Sequence, residues 1–326
     1  MKVGLVLGGG GMVGLSYHAG VLRALEVEAG FRPDSADLIV GTSAGAVVGA
    51  YLRSGWTTDD FWQLALGTHP SMKGIGRDDA SGSAPEIFVA SWRTPIDLYR
   101  RAVGSAFVLG RSFVRWPVPP LPIPSILAKA FPGGMFDMVE GRRRFDQELP
   151  EAWPDRPLWL CALDLGSGRR VVLGRPGSGA PEATLRQAVL ASAAIPGIYR
   201  PVRVGGRVLV DGGAWSSTNL DLAVKAECSM IIGVAPMAFD PERAPTRLLQ
   251  LVRRLPARSL SAEVAGARGA GAQVLLVRPD DAELRLHGLN LMRPDGLDRI
   301  AKAAYEATAR ALATERFRSF LHHLAA

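Results

Sequence analysis

The chain has 326 residues, 48% of them hydrophobic and 21% charged, which is enough apolar material for a large core and excludes wholesale disorder. Its formal net charge is +7, with two cysteines and five histidines. A disulfide framework or a four-ligand zinc site is therefore out of reach, and Cys161 and Cys228, both in apolar runs, are expected as buried free thiols.

Val3–Leu7 is a short apolar run ending in glycines, and Leu15–Glu28 has the spacing of an apolar-faced helix. Asp37–Val40 is a second short strand ending at Gly41, and Ala44–Leu52 continues as a helix. Strand, glycine turn and helix, twice within 52 residues, is the pattern of a parallel sheet with crossover helices. The character changes over about 67–136, where helical stretches alternate with Pro and Gly and five prolines fall within Pro117–Pro124. This region is expected to be an inserted cap or lid, with no secondary structure assigned to it. Regular patterning returns with strands at Leu158–Leu163 and Arg170–Leu173 and a helix at Ala183–Ala193. A hairpin follows at Pro201–Val204 and Arg207–Val210, around Gly205–Gly206. Ser229–Ala235 and Gln273–Val277 are further strands, and Leu297–Ala313 is a long amphipathic helix. The whole chain is expected to form a single domain over 1–326.

Within the insert, residues 98–136 hold Arg100, Arg101, Arg111, Arg115 and Lys129 and no acid. Tyr99, Phe107, Phe113, Trp116, Phe131 and Phe136 lie among them. That mixture suits an anionic membrane surface better than a nucleic acid duplex, although core aromatics beside a solvated basic face would give the same composition. The N-terminus lacks the longer apolar core of a secretory signal, and no apolar run reaches the ~18 residues of a membrane span. The expected location is cytoplasmic, with peripheral membrane contact. No H-E-x-x-H spacing occurs, and neither a metal nor a cofactor is expected.

Three short motifs carry chemistry. Gly8-Gly9-Gly10-Gly11-Met12-Val13-Gly14 joins the first strand to the first helix, where free amides point at an anion. Gly9-x-Gly11-x-x-Gly14 fits a dinucleotide fingerprint, but the second strand ends in Val40-Gly41-Thr42-Ser43, without the acid that would hold a ribose. The competing readings are an oxyanion hole of backbone amides and a purely structural turn. Gly41-Thr42-Ser43-Ala44-Gly45 is a G-x-S-x-G turn between strand and helix, the context that makes Ser43 a candidate nucleophile rather than a helix cap. In Val208-Leu209-Val210-Asp211-Gly212-Gly213 an apolar strand delivers an acid into a double-glycine turn. Such an aspartate either braces the turn or serves as a base. The histidines are poorly placed to act as that base. His18 lies within a helix, His69 and His287 in glycine- and proline-studded loops, and His322 and His323 at the end of the chain. A Ser–His–Asp arrangement stays open, with Asp211 the better candidate base.

Taken in order, these motifs resemble those of the patatin-like phospholipase family, and Ala191-Ser192-Ala193-Ala194-Ile195-Pro196-Gly197 is similar to that family's S-A-A-I-P-G segment. The match covers roughly 1–66 and 157–236. The resemblance implies a three-layer α/β/α fold with a mostly parallel central sheet, and hydrolysis of phospholipid or other lipid acyl esters by a Ser–Asp dyad. By the same resemblance Ser43 is the nucleophile, Asp211 its base, and Gly9, Gly10 and Gly11 the oxyanion donors, with Gly41, Gly45, Gly212 and Gly213 supporting the turns. One backbone donor is typically worth ~3 kcal/mol. The rival expectation is a lipid-binding module with a vestigial dyad. Three departures stand out: Val13 occupies a position where the family commonly has Arg or Lys, the loop-to-helix join is one residue longer, with Leu15-Ser16-Tyr17-His18 before Ala19-Gly20-Val21-Leu22, and the family's N-x-P after D-G-G is missing from Ala214-Trp215-Ser216-Ser217-Thr218-Asn219-Leu220.

Overall fold

The computed structural model describes residues 1–71, 89–113, 133–239 and 253–314. Its strands, in chain order, are β1 (Val3–Leu7), β2 (Leu38–Thr42), β3 (Val89–Ala90), β4 (Phe136–Asp137), β5 (Leu158–Asp164), β6 (Arg169–Leu173), β7 (Val202–Val204), β8 (Arg207–Asp211), β9 (Met230–Val234) and β10 (Gln273–Val277). The chain divides into two compact units, one of Met1–Gly82, Arg156–Leu158 and Ser216–Ala326, the other of Ser83–Asp155 and Trp159–Trp215.

The first unit contains the parallel ladder. β1 is central, paired with β2 on one side and β9 on the other, and β10 adds to β9, every pair parallel. β2 and β9 are buried at every position, which is why they read as continuous apolar runs instead of alternating ones. Alternation along β1 sends its side chains to two different helical layers. Gly4 faces Ala223 of the Asp221–Lys225 helix, whose side chain would lie 3.1 Å from a Cβ built there. Leu7 faces the opposite way, toward Gly45 and Gly49 of helix α2 (Ala44–Arg53). The expected three layers, helices on both faces of parallel strands, are therefore present.

The start of the first helix and the place of His287 differ from expectation. The first helix, named α1 here, runs Gly11–Ala29 and starts four residues before Leu15, inside the glycine motif. Its first turn has no apolar periodicity to betray it, and Gly14 instead donates to the Gly10 carbonyl at 2.8 Å. The His287 expectation is also corrected: it ends the helix Asp281–His287 and is buried. Arg253 points its guanidinium at the ring at 3.5 Å, and Tyr17 meets the ring edge-on at 5.4 Å.

The second unit is built on antiparallel pairs: β5 with β6, β5 with β8, and β7 with β8. The β7–β8 hairpin turns at Gly205 and Gly206, with φ of 51° and 78°, the left-handed pair that a two-residue turn demands. The expected insert contains a 19-residue helix, Pro95–Phe113, and a small antiparallel pair of β3 with β4. Arg115, Trp116, Lys129 and Phe131 lie outside the described residues, as does the proline run. Cys161 and Cys228 are buried and outside any disulfide among the described residues, and burial pushes the Cys228 thiol up to about 11.

Candidate active site

In the first unit, β1 and β2 end side by side, and each leads through glycines into a helix. Ser43 stands between β2 and α2 with φ 55° and ψ −118°, a backbone conformation that side-chain-bearing residues avoid and that costs on the order of 1–3 kcal/mol. Its neighbours explain why the flanking residues are glycine. A Cβ at Gly41 would lie 2.6 Å from the Ala46 Cα, and one at Gly45 only 2.0 Å from the Leu7 carbonyl oxygen. The Ser43 carbonyl accepts the amides of Ala46 and Val47 at 2.9 and 3.2 Å, which begins α2 directly behind the serine. The side chain is buried, 7% exposed.

The glycine loop runs alongside. A Cβ at Gly9 would sit 3.2 Å from the Ser43 Cβ, so the loop backbone is in contact with the serine. The amides there do not play equal parts. Gly8 donates to Val234 at 2.9 Å and Gly9 to the Ser217 carbonyl at 2.8 Å, while Val13 donates to Leu291 at 3.1 Å. Gly10 and Gly11 donate to no backbone carbonyl among the described residues, as expected of amides that open a helix. Gly11 has φ 61°, which suits a residue without a side chain. Thus Ser43 and Gly9, Gly10, Gly11, Gly41 and Gly45 are brought together, but the Gly9 amide is already engaged.

Three supports of this loop have no signal in the sequence. The His18 ring donates from Nε2 to the Gly8 carbonyl at 2.7 Å, and burial pushes its pKa down to about 4. The same carbonyl accepts the Gly45 amide at 3.2 Å. Asn219, fully buried with φ 55°, donates from Nδ2 to Thr42 Oγ1 at 3.0 Å and to the Ser216 carbonyl at 2.7 Å. Glu263 accepts from Ser216 Oγ at 2.5 Å, Thr218 Oγ1 at 2.8 Å and the Leu220 amide at 2.8 Å. One carboxylate therefore shapes the Ser216–Leu220 segment, whose Ser217 carbonyl holds Gly9.

The second unit holds Asp211 at the end of β8. Its amide donates to the Ala194 carbonyl at 2.9 Å, and its Oδ1 accepts the Gly213 amide at 2.7 Å. The side chain is buried, 5% exposed. A Cβ at Gly212 would lie 2.4 Å from the Cys161 carbonyl oxygen, so β5 passes too close for any other residue. Ser192 Oγ donates to that carbonyl at 2.7 Å. The Ser192–Ala194 segment thereby anchors both β5 and the aspartate turn, a structural reason for the S-A-A-I-P-G motif. Of the remaining histidines, His69 stacks on Trp56 at 4.7 Å and faces Asp60 at 3.4 Å, and His322 and His323 lie outside the described residues.

Ser43 thus stands at a strained turn between a strand and a helix, with a glycine loop against it. The family model of the patatin-like phospholipases matches residues 5–224, and the chain belongs to that family. Membership gives the broad activity class, hydrolysis of lipids, with lipids as substrates. The chain is 27% identical over 251 residues to the uncharacterized protein YqhO of Bacillus subtilis, with 74% of each covered. Among solved structures it is similar to VipD from Legionella pneumophila, at TM-score 0.45 and 16% identity, covering 95% of this chain and 66% of that one. It is also similar to the heterodimeric ExoU–SpcU complex of the Pseudomonas aeruginosa type III secretion system, at TM-score 0.37 and 18% identity, covering 98% of this chain and 52% of that one. The chain thus spans about two thirds and one half of the length of these two structures.

Proposed function

We propose that this chain hydrolyses lipid acyl esters through a covalent acyl-enzyme, with Ser43 as the nucleophile and Asp211 as its base. The observation that carries the reading is the backbone of Ser43, whose φ of 55° is held by close-packed glycines with a glycine loop alongside. Strain of that kind is maintained where a side chain must be presented to a reacting group. For the base, the support is the burial of Asp211 at a strand end and its place in the family's motif order. Asp211 also precedes by five residues Ser216, where the segment that fixes Gly9 and Thr42 begins.

In this mechanism Asp211 accepts the Ser43 proton as Oγ attacks the ester carbonyl carbon. The amides of Gly10 and Gly11 receive the resulting oxyanion, and each such donor lowers the barrier by ~3 kcal/mol. Gly9 leaves the donor set because its N–H is bound to Ser217 and instead fixes the loop beside the serine. The tetrahedral adduct collapses, the C–O bond to the alcohol breaks, and the alcohol departs with the proton from Asp211. Water then attacks the acyl-serine, giving its proton to Asp211, and the free acid leaves as Ser43 is reprotonated. No side chain at position 13 is needed for these steps, since the oxyanion is held by backbone.

A fluorophosphonate probe tests the reading. It should label the wild type at Ser43 and leave Ser43→Ala unlabelled. Absence of labelling in the wild type would favour a lipid-binding module with an inactive dyad.

A further inference from the structure

The Pro95–Phe113 helix belongs to the second unit and has one face packed and one bare. Val108 packs with Leu163, Leu165 and Val210, the last being the residue before Asp211. Gly104 and Ser105 are buried on the same side, and Ser105 Oγ accepts the Gly134 amide at 2.9 Å. The opposite side is apolar and open to solvent. Ile96 is 72% exposed, Tyr99 67%, Phe107 50% and Val103 38%. Spacings of three, four and four place these residues in one stripe along the helix. Water-facing apolar side chains are ordinary singly, but an aligned row of them marks a surface that is covered in use.

We propose that this stripe docks onto an anionic lipid surface. Charge identifies the occupant. The described residues 92–110 contain Arg93, Arg100 and Arg101 against a single acid, Asp97. Arg101 turns to the Gly134 carbonyl at 3.4 Å on the packed side, which leaves Arg93 and Arg100 as the cations beside the stripe. An apolar stripe flanked by excess arginine is the composition of a helix lying in the headgroup region of a bilayer, with apolar side chains below that plane and cations at it. Trp92, just before the helix and 37% exposed, adds an aromatic suited to the same depth. Among the described residues no helix is long and apolar enough to cross a membrane, and the contact proposed is a peripheral one. The proposal rests on the lipid-hydrolase reading only for the nature of the partner. It adds that the strand carrying Asp211 is covered by the element that meets the lipid.

The test is flotation with vesicles of phosphatidylcholine alone or with phosphatidylglycerol at one part in three. The proteins are the full chain, its Ser43→Ala variant, and the pair Ile96→Glu with Phe107→Glu. Wild type and Ser43→Ala should float alike with the anionic vesicles, severalfold better than with the neutral ones, and less well as salt is raised. The Ile96→Glu, Phe107→Glu protein should lose at least fivefold of its bound fraction. It should also keep wild-type thermal stability and turnover of a soluble short-chain ester, since both sites are exposed. Because Ser43→Ala is scored by binding, failure of the catalytic reading leaves this result untouched. Wild-type protein that stays with the unbound fraction, or a glutamate pair that floats like wild type, would overturn the proposal. So would a dimer, seen by light scattering, that the glutamate pair dissociates, because the stripe would then be covered by a second copy.

Discussion

His18 donates from Nε2 to the carbonyl oxygen of Gly8 at 2.7 Å. That carbonyl also accepts the Gly45 amide at 3.2 Å, so a single backbone oxygen ties the end of β1 to both helices that frame Ser43. A carbonyl only accepts, so the ring proton is on Nε2. The other ring nitrogen is buried without a partner among the described residues, and a second proton there would be a desolvated charge. That cost is what lowers the pKa to about 4.

The pH dependence follows with a definite sign. His18 is lowered from 6.5 to about 4, so the unfolded chain binds this proton before the folded one does. Its contribution is complete above 6.5 and is lost as pH falls toward 4, by about 3 kcal/mol. His287, lowered to about 3 by burial and by Arg253 and Arg293, acts in the same direction. Glu283, raised from 4.5 to about 7 by burial, opposes them, because its contribution is complete below 4.5 and lost as pH rises through 7. Two protons outweigh one between pH 4.5 and 6.5, so the melting temperature should drop on acidification across that range. His18→Gln, which keeps a donor and removes the ionisation, should flatten the slope; an unchanged slope would contradict this assignment.

Gly20 marks where α1 crosses the Leu297–Leu312 helix: a Cβ there would lie 2.1 Å from the Ala301 carbonyl oxygen. Gly20→Ala should therefore cost about 3 kcal/mol or more, since backbone on both sides must move. Gly266→Ala is the control. That glycine lies in the Arg254–Gly269 helix with nothing within 4 Å of the added carbon, and alanine should stabilise by about 0.5–1 kcal/mol. Denaturant titration of both variants reads the contrast.

Much of the fold is legible in the sequence because the chain announces it locally. Apolar runs ending in glycine mark β1 and β2, paired glycines mark the β7–β8 turn, and motif order singles out Ser43 and Asp211 as candidates. What escapes depends on contacts between distant residues. Glu263 carries no motif, and its three acceptor bonds to Ser216, Thr218 and Leu220 reach back 47, 45 and 43 residues along the chain. Asn219 lies in the stretch from which the family's N-x-P is missing, and only its left-handed backbone and its bond to Thr42 give it a clear structural part. A place within a helix argues against His18 as a base, and it is that helix which aims its ring at Gly8. The apolar stripe of the Pro95–Phe113 helix is hidden among prolines and arginines that break the pattern on either side.

Glu263→Gln tests the segment that holds Gly9. The amide preserves shape but replaces an acceptor-only carboxylate with a group that must turn one donor toward its partners. Expected are a stability loss of about 1–3 kcal/mol and a fall in kcat on a soluble ester that exceeds any rise in KM. Loss of stability with full turnover would confine Glu263 to folding.

Gly10→Ala tests the oxyanion donors. The new methyl would lie 2.8 Å from the Gly14 Cα and 3.0 Å from the Pro236 Cβ, so the loop must shift and carry its amide with it. A displaced donor matters chiefly in the transition state, and kcat should fall by about two orders of magnitude with a smaller change in KM. An effect confined to KM would indicate a binding loop.

In the proposed chemistry Ser43 attacks and Asp211 takes its proton. The most direct measurement is turnover of a short-chain p-nitrophenyl ester by Asp211→Asn and by Ser43→Ala, with thermal melts as the check on folding. Each variant should melt close to wild type, and both should lose ester hydrolysis to background. Wild-type turnover by well-folded Asp211→Asn would contradict that chemistry and return the search for a base to the histidines.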